Sequence, residues 1–91
     1  MEFEWDEKKA ASNLAKHRVP FELATRAFFD PHGIEIDATR ERDGEVRRKS
    51  VGMVDGRLLT VVFSPRRTGL RIISARRANK AEERTYHGNG S

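Results

Sequence analysis

The sequence predicts an α+β domain. Two N-terminal helices pack on one face of an antiparallel β-sheet, and a short C-terminal helix follows, in the order β-α-α-β-β-β-β-α. Three observations predict it. Apolar residues recur at helical spacing only between about residues 10 and 28. Period-two alternation then takes over and persists to Arg77, punctuated by Asp55-Gly56 and Pro65–Gly69. The chain has 91 residues, of which 36% are hydrophobic, which leaves room for one core and not two.

Each element has a local reason. Phe3-Glu4-Trp5 alternates and reads as a short edge strand. Asp6 is a good N-cap for a helix to about His17, with Ala10, Ala11, Leu14 and Ala15 as a narrow apolar stripe. Pro20 suits the first turn of a second helix, whose core face is Phe21, Ala24, Ala27 and Phe28. Asp30-Pro31-His32-Gly33 ends it. Ile34-Glu35-Ile36-Asp37 reads as a strand with one buried face, and Thr39 to Glu45 as a charged loop. Arg47–Val54 and Arg57–Ser64 flank Asp55-Gly56, a strong two-residue hairpin signal. A last strand covers Leu70–Arg77, and Asn79 with Glu82 forms a capping pair for a helix through about Tyr86. Residues 1–87 form a single domain and 88–91 a mobile tail.

The turns predict a register. Val54 should pair with Arg57, Gly52 with Leu59 and Lys49 with Val62. A five-residue second loop would pair Ser64 with Leu70 and Thr60 with Ser74. Alternation then places Val54, Leu59, Val61, Phe63, Ile73 and Ala75 under the helices. Arg47, Lys49, Thr60, Ser74 and Arg76 fall on the other face, around Val51, Val62 and Ile72.

Charge is unevenly spread. Residues 1–39 carry five Lys/Arg against eight Asp/Glu, and residues 40–91 thirteen against six. Thirteen of the eighteen basic residues are Arg. Arginines fixed on a sheet favour phosphate, because each guanidinium offers a planar fork of donors that stays protonated. The balance points to nucleic acid, steered by the basic half. The absence of Cys excludes disulfides, thiolate zinc sites and a Cys nucleophile. No apolar run approaches the roughly 20 residues of a membrane span. The acidic start, Met1 to Asp6, lacks the order of a secretory signal, so a cytoplasmic protein without membrane contact is expected. Three scattered His and no nucleotide-binding glycine fingerprint call for neither a metal nor another cofactor.

RNA cleavage without a metal turns the ribose 2′-OH on the adjacent phosphate, and cations on the phosphorane oxygens are often the largest contribution. Arg47, Lys49 and Arg76 are the candidates for that role. Tyr86 either stacks on a base or donates a proton, or else pins the last helix to the sheet. Arg48, Arg66, Arg67, Arg71 and Arg77 are candidates for RNA-backbone contacts. His17 closes a helix, where a cation suits the dipole; His32 lies in a turn and His87 near the end. Glu45 is a possible base or a paired surface carboxylate. Two other readings stay open: a nucleic-acid-binding module that leaves the strand intact, and a basic face that serves only an acidic protein partner.

Taken together, these segments resemble the BrnT family of type II toxin–antitoxin ribonucleases. The matching pieces are Phe3-Glu4-Trp5-Asp6 with Lys9, Asn13, Lys16-His17, Phe21, Ala24, Phe28 and Asp30-Pro31. Gly44-Glu45 with Arg47 follows, and then Arg71 to Ala78 running into Glu82, Arg84 and Tyr86. The resemblance implies a RelE-like fold and RNA cleavage that arrests bacterial growth. It also implies neutralisation by a BrnA-like ribbon-helix-helix antitoxin, and operator DNA bound only through the toxin–antitoxin complex, which represses its own operon. Family members commonly have Gly where this chain has Arg18.

Overall fold

The computed structural model describes residues 1–89. Its elements are β1 (Glu2–Glu4), α1 (Glu7–His17), α2 (Phe21–Ala24) running into a 3₁₀ turn over Thr25–Phe29, and β2 (Ile34–Asp37). A 3₁₀ turn over Glu41–Asp43 leads to β3 (Arg48–Val54), β4 (Arg57–Pro65), β5 (Gly69–Arg77) and α3 (Lys80–Asn89). The sheet order is β1-β5-β4-β3-β2. The fold is thus α+β, as the patterning requires. The sheet is mixed rather than wholly antiparallel, because β1 pairs parallel to β5. Two helices lie between β1 and the next strand, so β1 need not be a hairpin partner of anything.

Local signals set most boundaries. The Asp6 carboxylate accepts from the N–H groups of Lys8 (2.8 Å) and Lys9 (3.2 Å) and so caps α1. Arg18 ends the helix in the left-handed conformation at φ 60°, a turn that ordinarily suits Gly. Asp55 (φ 50°) and Gly56 (φ 80°) make the hairpin turn between β3 and β4. The three pairs expected there, Val54–Arg57, Gly52–Leu59 and Lys49–Val62, are all present. α3 runs past Tyr86 to Asn89, and Gly90 and Ser91 of the expected tail lie outside the described residues.

One face of the sheet packs under α1, α2 and the 3₁₀ turn. Its core includes Phe21, Ala24, Ala27, Val61, Phe63, Ile72 and Ala75. Phe28 meets Phe63 edge-on at 5.1 Å between ring centres, a favourable aromatic geometry. Gly52 lets the 3₁₀ turn lie against β3, since a Cβ there would collide with the Ala27 carbonyl. The other face carries a smaller cluster of Val51, Leu58 and Tyr86, beside Ile34, Ile36 and Ala78. That face is therefore covered at one end by α3 and open at the other.

Two expectations about side chains are overturned. The stripe assigned to α1 is only in part its packed face: Ala10 lies against the core, but Leu14 is 47% exposed, Ala11 and Ala15 are exposed, and the buried residue is Asn13. Asn13 donates to the carbonyls of Ala75 (2.8 Å) and Val19 (3.1 Å) and accepts from Ala75 N–H (3.0 Å). It substitutes for a neighbouring strand beyond the end of β1, so a polar residue outcompetes Leu for that position. The second error is the register of β5. Arg66 and Gly69 bond each other's backbones, which leaves a two-residue loop instead of five. Ser64 then pairs with Arg71, not Leu70. A bulge between Val62 and Phe63 adds a further one-residue slip, so Thr60 pairs with Arg76. Ile72 consequently sits in the helix-covered core, while Ile73 is the extra residue and lines the opposite face.

Candidate functional site

The open end of the sheet holds a shallow cavity of about 310 Å³ lined by Ala38, Arg40, Arg47, Lys49, Val62, Ile73, Ser74 and Arg76. Lys49 comes from β3, Arg76 from β5, and Arg47 from the residue before β3. Alternation along neighbouring strands aims the three side chains to one side. Four cations line this space and no carboxylate does.

The cations are held from beneath. Glu82, in the first turn of α3, is buried at 3% exposure. One carboxylate oxygen accepts from Arg76 (2.8 Å), the Thr60 hydroxyl (2.8 Å) and the Asn79 N–H (2.9 Å). The other accepts from Arg76 (2.9 Å) and Lys49 (2.8 Å). The Arg76 contact is a bidentate fork, the strongest geometry available to the pair. Burial by itself would raise the Glu82 pKa, but the hydrogen bonds from Arg76, Lys49, Asn79 and Thr60 outweigh it and hold the carboxyl well below its usual range. The same bonds push the Arg76 guanidinium up, against the opposing effect of its own burial. Asn79 returns the favour by accepting the Glu82 N–H at 2.8 Å, which completes a capping box. The capping pair is legible in the sequence. That its carboxylate also clamps two strand cations is not, because the contact joins residues 33 positions apart.

The remaining candidates separate. Arg47 lies near Glu45 (3.7 Å), whose second oxygen lies 3.7 Å from Arg66. Arg66 and Arg71 both approach Glu4, at 3.6 Å each. Arg67 is exposed in the loop between β4 and β5. Arg48 pairs with Glu35 at 3.1 Å and is out of phase with Lys49, and so points to the other side of the sheet. Arg77 lines a different cavity, with Lys16, His17 and Arg57. Arg40 joins the cationic lining although nothing in its polar loop marked it out.

Tyr86 is not at this cavity. It is buried in the small cluster, and its hydroxyl donates to Asp30 at 2.6 Å. That bond, with some burial, pushes the phenol up to about 12. Asp30 also accepts from the N–H groups of Met53 (2.7 Å) and His32 (2.8 Å). Burial opposes ionisation of Asp30, yet these bonds, led by that from Tyr86, keep its pKa lowered. Through Asp30 the Tyr86 hydroxyl ties α3 to the turn that also holds Met53 of β3.

Fold and site together define a small basic α+β domain whose sheet gathers fixed guanidinium and ammonium groups in one cavity. A family model described as "Ribonuclease toxin, BrnT, of type II toxin-antitoxin system" matches residues 5–82. The chain belongs to this family, and the match runs from Trp5 through the clamping Glu82. Membership makes it a ribonuclease toxin with a cognate antitoxin. No curated protein matches the chain. Among the described residues, no helix is long and apolar enough to cross a membrane.

Proposed function

We propose that the chain cleaves RNA at the open sheet face by metal-independent transesterification. The ribose 2′-OH gives up its proton as its oxygen attacks the adjacent phosphorus. The leaving 5′ oxygen takes one up as its bond to phosphorus breaks, giving a 2′,3′-cyclic phosphate and a 5′-OH. Arg47, Lys49 and Arg76 contact the scissile phosphate and stabilise the charge that gathers on its non-bridging oxygens. The observation that carries this reading is that all three line one cavity, two of them set by a single buried carboxylate. Because Glu82 already fixes Lys49 and Arg76, little reorganisation is needed when phosphate arrives. Arg40 adds positive charge at the rim, and Arg66, Arg67 and Arg71 extend the basic surface along the strand. Tyr86 supports the site by anchoring α3, which carries Glu82.

A BrnA-like antitoxin with a ribbon-helix-helix domain is the proposed neutralising partner. Its acidic segment would cover this face, because opposite charge both steers and blocks. The complex, rather than the toxin alone, would bind operator DNA and repress the operon, in a bacterial cytoplasm.

The test is digestion of labelled RNA in EDTA by the purified chain and by Arg76→Ala. Wild type should cut with chelator present, and the variant should lose about 10²–10³ in rate while remaining folded. Equal rates would remove Arg76 from the mechanism. RNA that shifts in a gel but stays intact would make the face a binding surface only.

A further inference from the structure

A second cationic site lies on the helix-covered side of the sheet, beyond the end of α1. It is a cavity of about 440 Å³, a volume suited to a small ligand. Lys16, Arg18, Arg57 and Arg77 line it, and no carboxylate does. Arg57 and Arg77 come from neighbouring strands on one face, since Leu59, two residues from Arg57, pairs with Arg77. Among the described residues, none of these four cations forms a side-chain ion pair. Asp55, two residues from Arg57, pairs with Arg26 at 2.9 Å through both oxygens and forms no ion pair with Arg57. The floor is apolar, made by Val19, Leu23, Val54 and Leu59. Three of these four are also part of the buried core, so the floor is rigid.

Gathering unpaired cations around one hollow costs like-charge repulsion, which an anion would relieve. The arrangement asks for a ligand with two parts: a phosphate for the rim and a flat, weakly polar body for the floor. We propose that this cavity binds a nucleoside phosphate, with its phosphate between Arg57, Arg77 and Lys16 and its base against Leu23 and Leu59. Free mononucleotide and the phosphorylated end of an RNA strand share that chemistry. The site is separate from the cleavage face and does not depend on it.

The test follows methyl NMR signals while the full chain is titrated with adenosine 5′-monophosphate, adenosine or inorganic phosphate. The nucleotide should shift Val19, Leu23 and Leu59, and bind at least about tenfold more tightly than either fragment. Arg57→Ser with Arg77→Ser should weaken it by about 10–100-fold at unchanged thermal stability, two charge-assisted contacts being lost. Arg76→Ala should leave it unchanged. An RNA oligonucleotide with a 5′-phosphate that shifts the same methyls, when its unphosphorylated twin does not, assigns the site to strand ends. Shifts from the mononucleotide alone assign it to free nucleotide. The proposal is overturned by shifts confined to Val62 and Ile73, by nucleotide affinity indifferent to the double substitution, or by no binding. RNA cleavage is measured in parallel, so a failure here leaves the cleavage reading intact and the converse also holds.

Discussion

Two groups of cations sit on opposite sides of the same sheet, and they are treated in opposite ways. Lys49 and Arg76 share a buried carboxylate that receives five hydrogen bonds. Arg57 and Arg77 line a hollow with no acid at all. The first arrangement fixes geometry and gives up part of its charge. The second keeps its full charge, with no ion pair among the described residues to fix its side chains. A reaction that must stabilise a short-lived phosphorane benefits from fixed donors, whereas capture of a ligand at the surface benefits from uncancelled field.

The largest expected effect breaks the first group. Glu82→Ala leaves two cations facing each other and strands the Thr60 hydroxyl and the Asn79 N–H, so it should cost about 3 kcal/mol of stability. Arg57→Ser with Arg77→Ser breaks no ion pair and should move stability by no more than about 0.5 kcal/mol. Urea unfolding of both variants checks the contrast, and similar losses would dissolve it.

Next comes the tie between α1 and the edge of β5 that leads to both groups. Asn13→Ala removes three hydrogen bonds that join α1 to Val19 and to Ala75 of β5, and should cost about 2 kcal/mol. Hydrogen exchange at Ala75 reads the opening directly. If that amide stays as protected as before, Asn13 is not what closes this edge.

Acid should reveal the same asymmetry more gently. Glu82 ionises well below its ordinary 4.5 when folded, so the unfolded chain takes up the proton first as pH falls. Its contribution is present above about pH 4.5 and drains away below it, with Asp30 acting in the same direction. Tyr86 has the opposite sign. Its phenol is raised from 10.0 to about 12, so its contribution holds below pH 10 and disappears as pH climbs through 12. Urea midpoints across pH should show both limbs. Glu82→Gln should flatten the acid one, and Tyr86→Phe the alkaline one.

The smallest effect concerns Arg18. Its left-handed backbone costs a residue with a Cβ about 1 kcal/mol, part of which Gly would regain and part lose to the flexibility of the unfolded chain. Arg18→Gly should therefore stabilise by about 0.5 kcal/mol in thermal unfolding. It also removes one cation from the helix-side cavity, so nucleotide affinity should fall as stability rises. Both moving down together would mean that Arg18 makes a contact the fold needs.

The grouping of Arg47, Lys49 and Arg76 was legible in the sequence, although by a route that hides a cancellation. The loop after β4 is shorter than expected and slips β5 by one residue, which would invert every side chain. The bulge at Val62/Phe63 slips it by one more. Before the bulge, Ile72 faces the helices against expectation; after it, Ser74 and Arg76 return to the predicted side. Nothing in the alternation of Leu70–Arg77 marks a bulge, because Ile72 and Ile73 are equally apolar and either could be the extra residue. Arg48, Arg77 and Tyr86 were distributed by the same geometry to places the cavity does not include.

What the sequence determined alone is whatever depends on neighbours a few residues apart. The Asp6 cap, the Asp55-Gly56 turn with its register, the Asn79–Glu82 box and the two periodicities all belong to this class, because a cap or a tight turn is satisfied within its own segment. The tertiary structure decided the rest: the parallel pairing of β1, Asn13 in place of a strand, and a helix-capping carboxylate that clamps cations on two strands. The β1 pairing joins Glu2 to Gly69, the Asn13–Ala75 bonds join residues 62 positions apart and the Lys49–Glu82 clamp residues 33 apart. Their partners are chosen by which backbone and charged groups burial would otherwise leave unsatisfied, and that is known only once the sheet has formed.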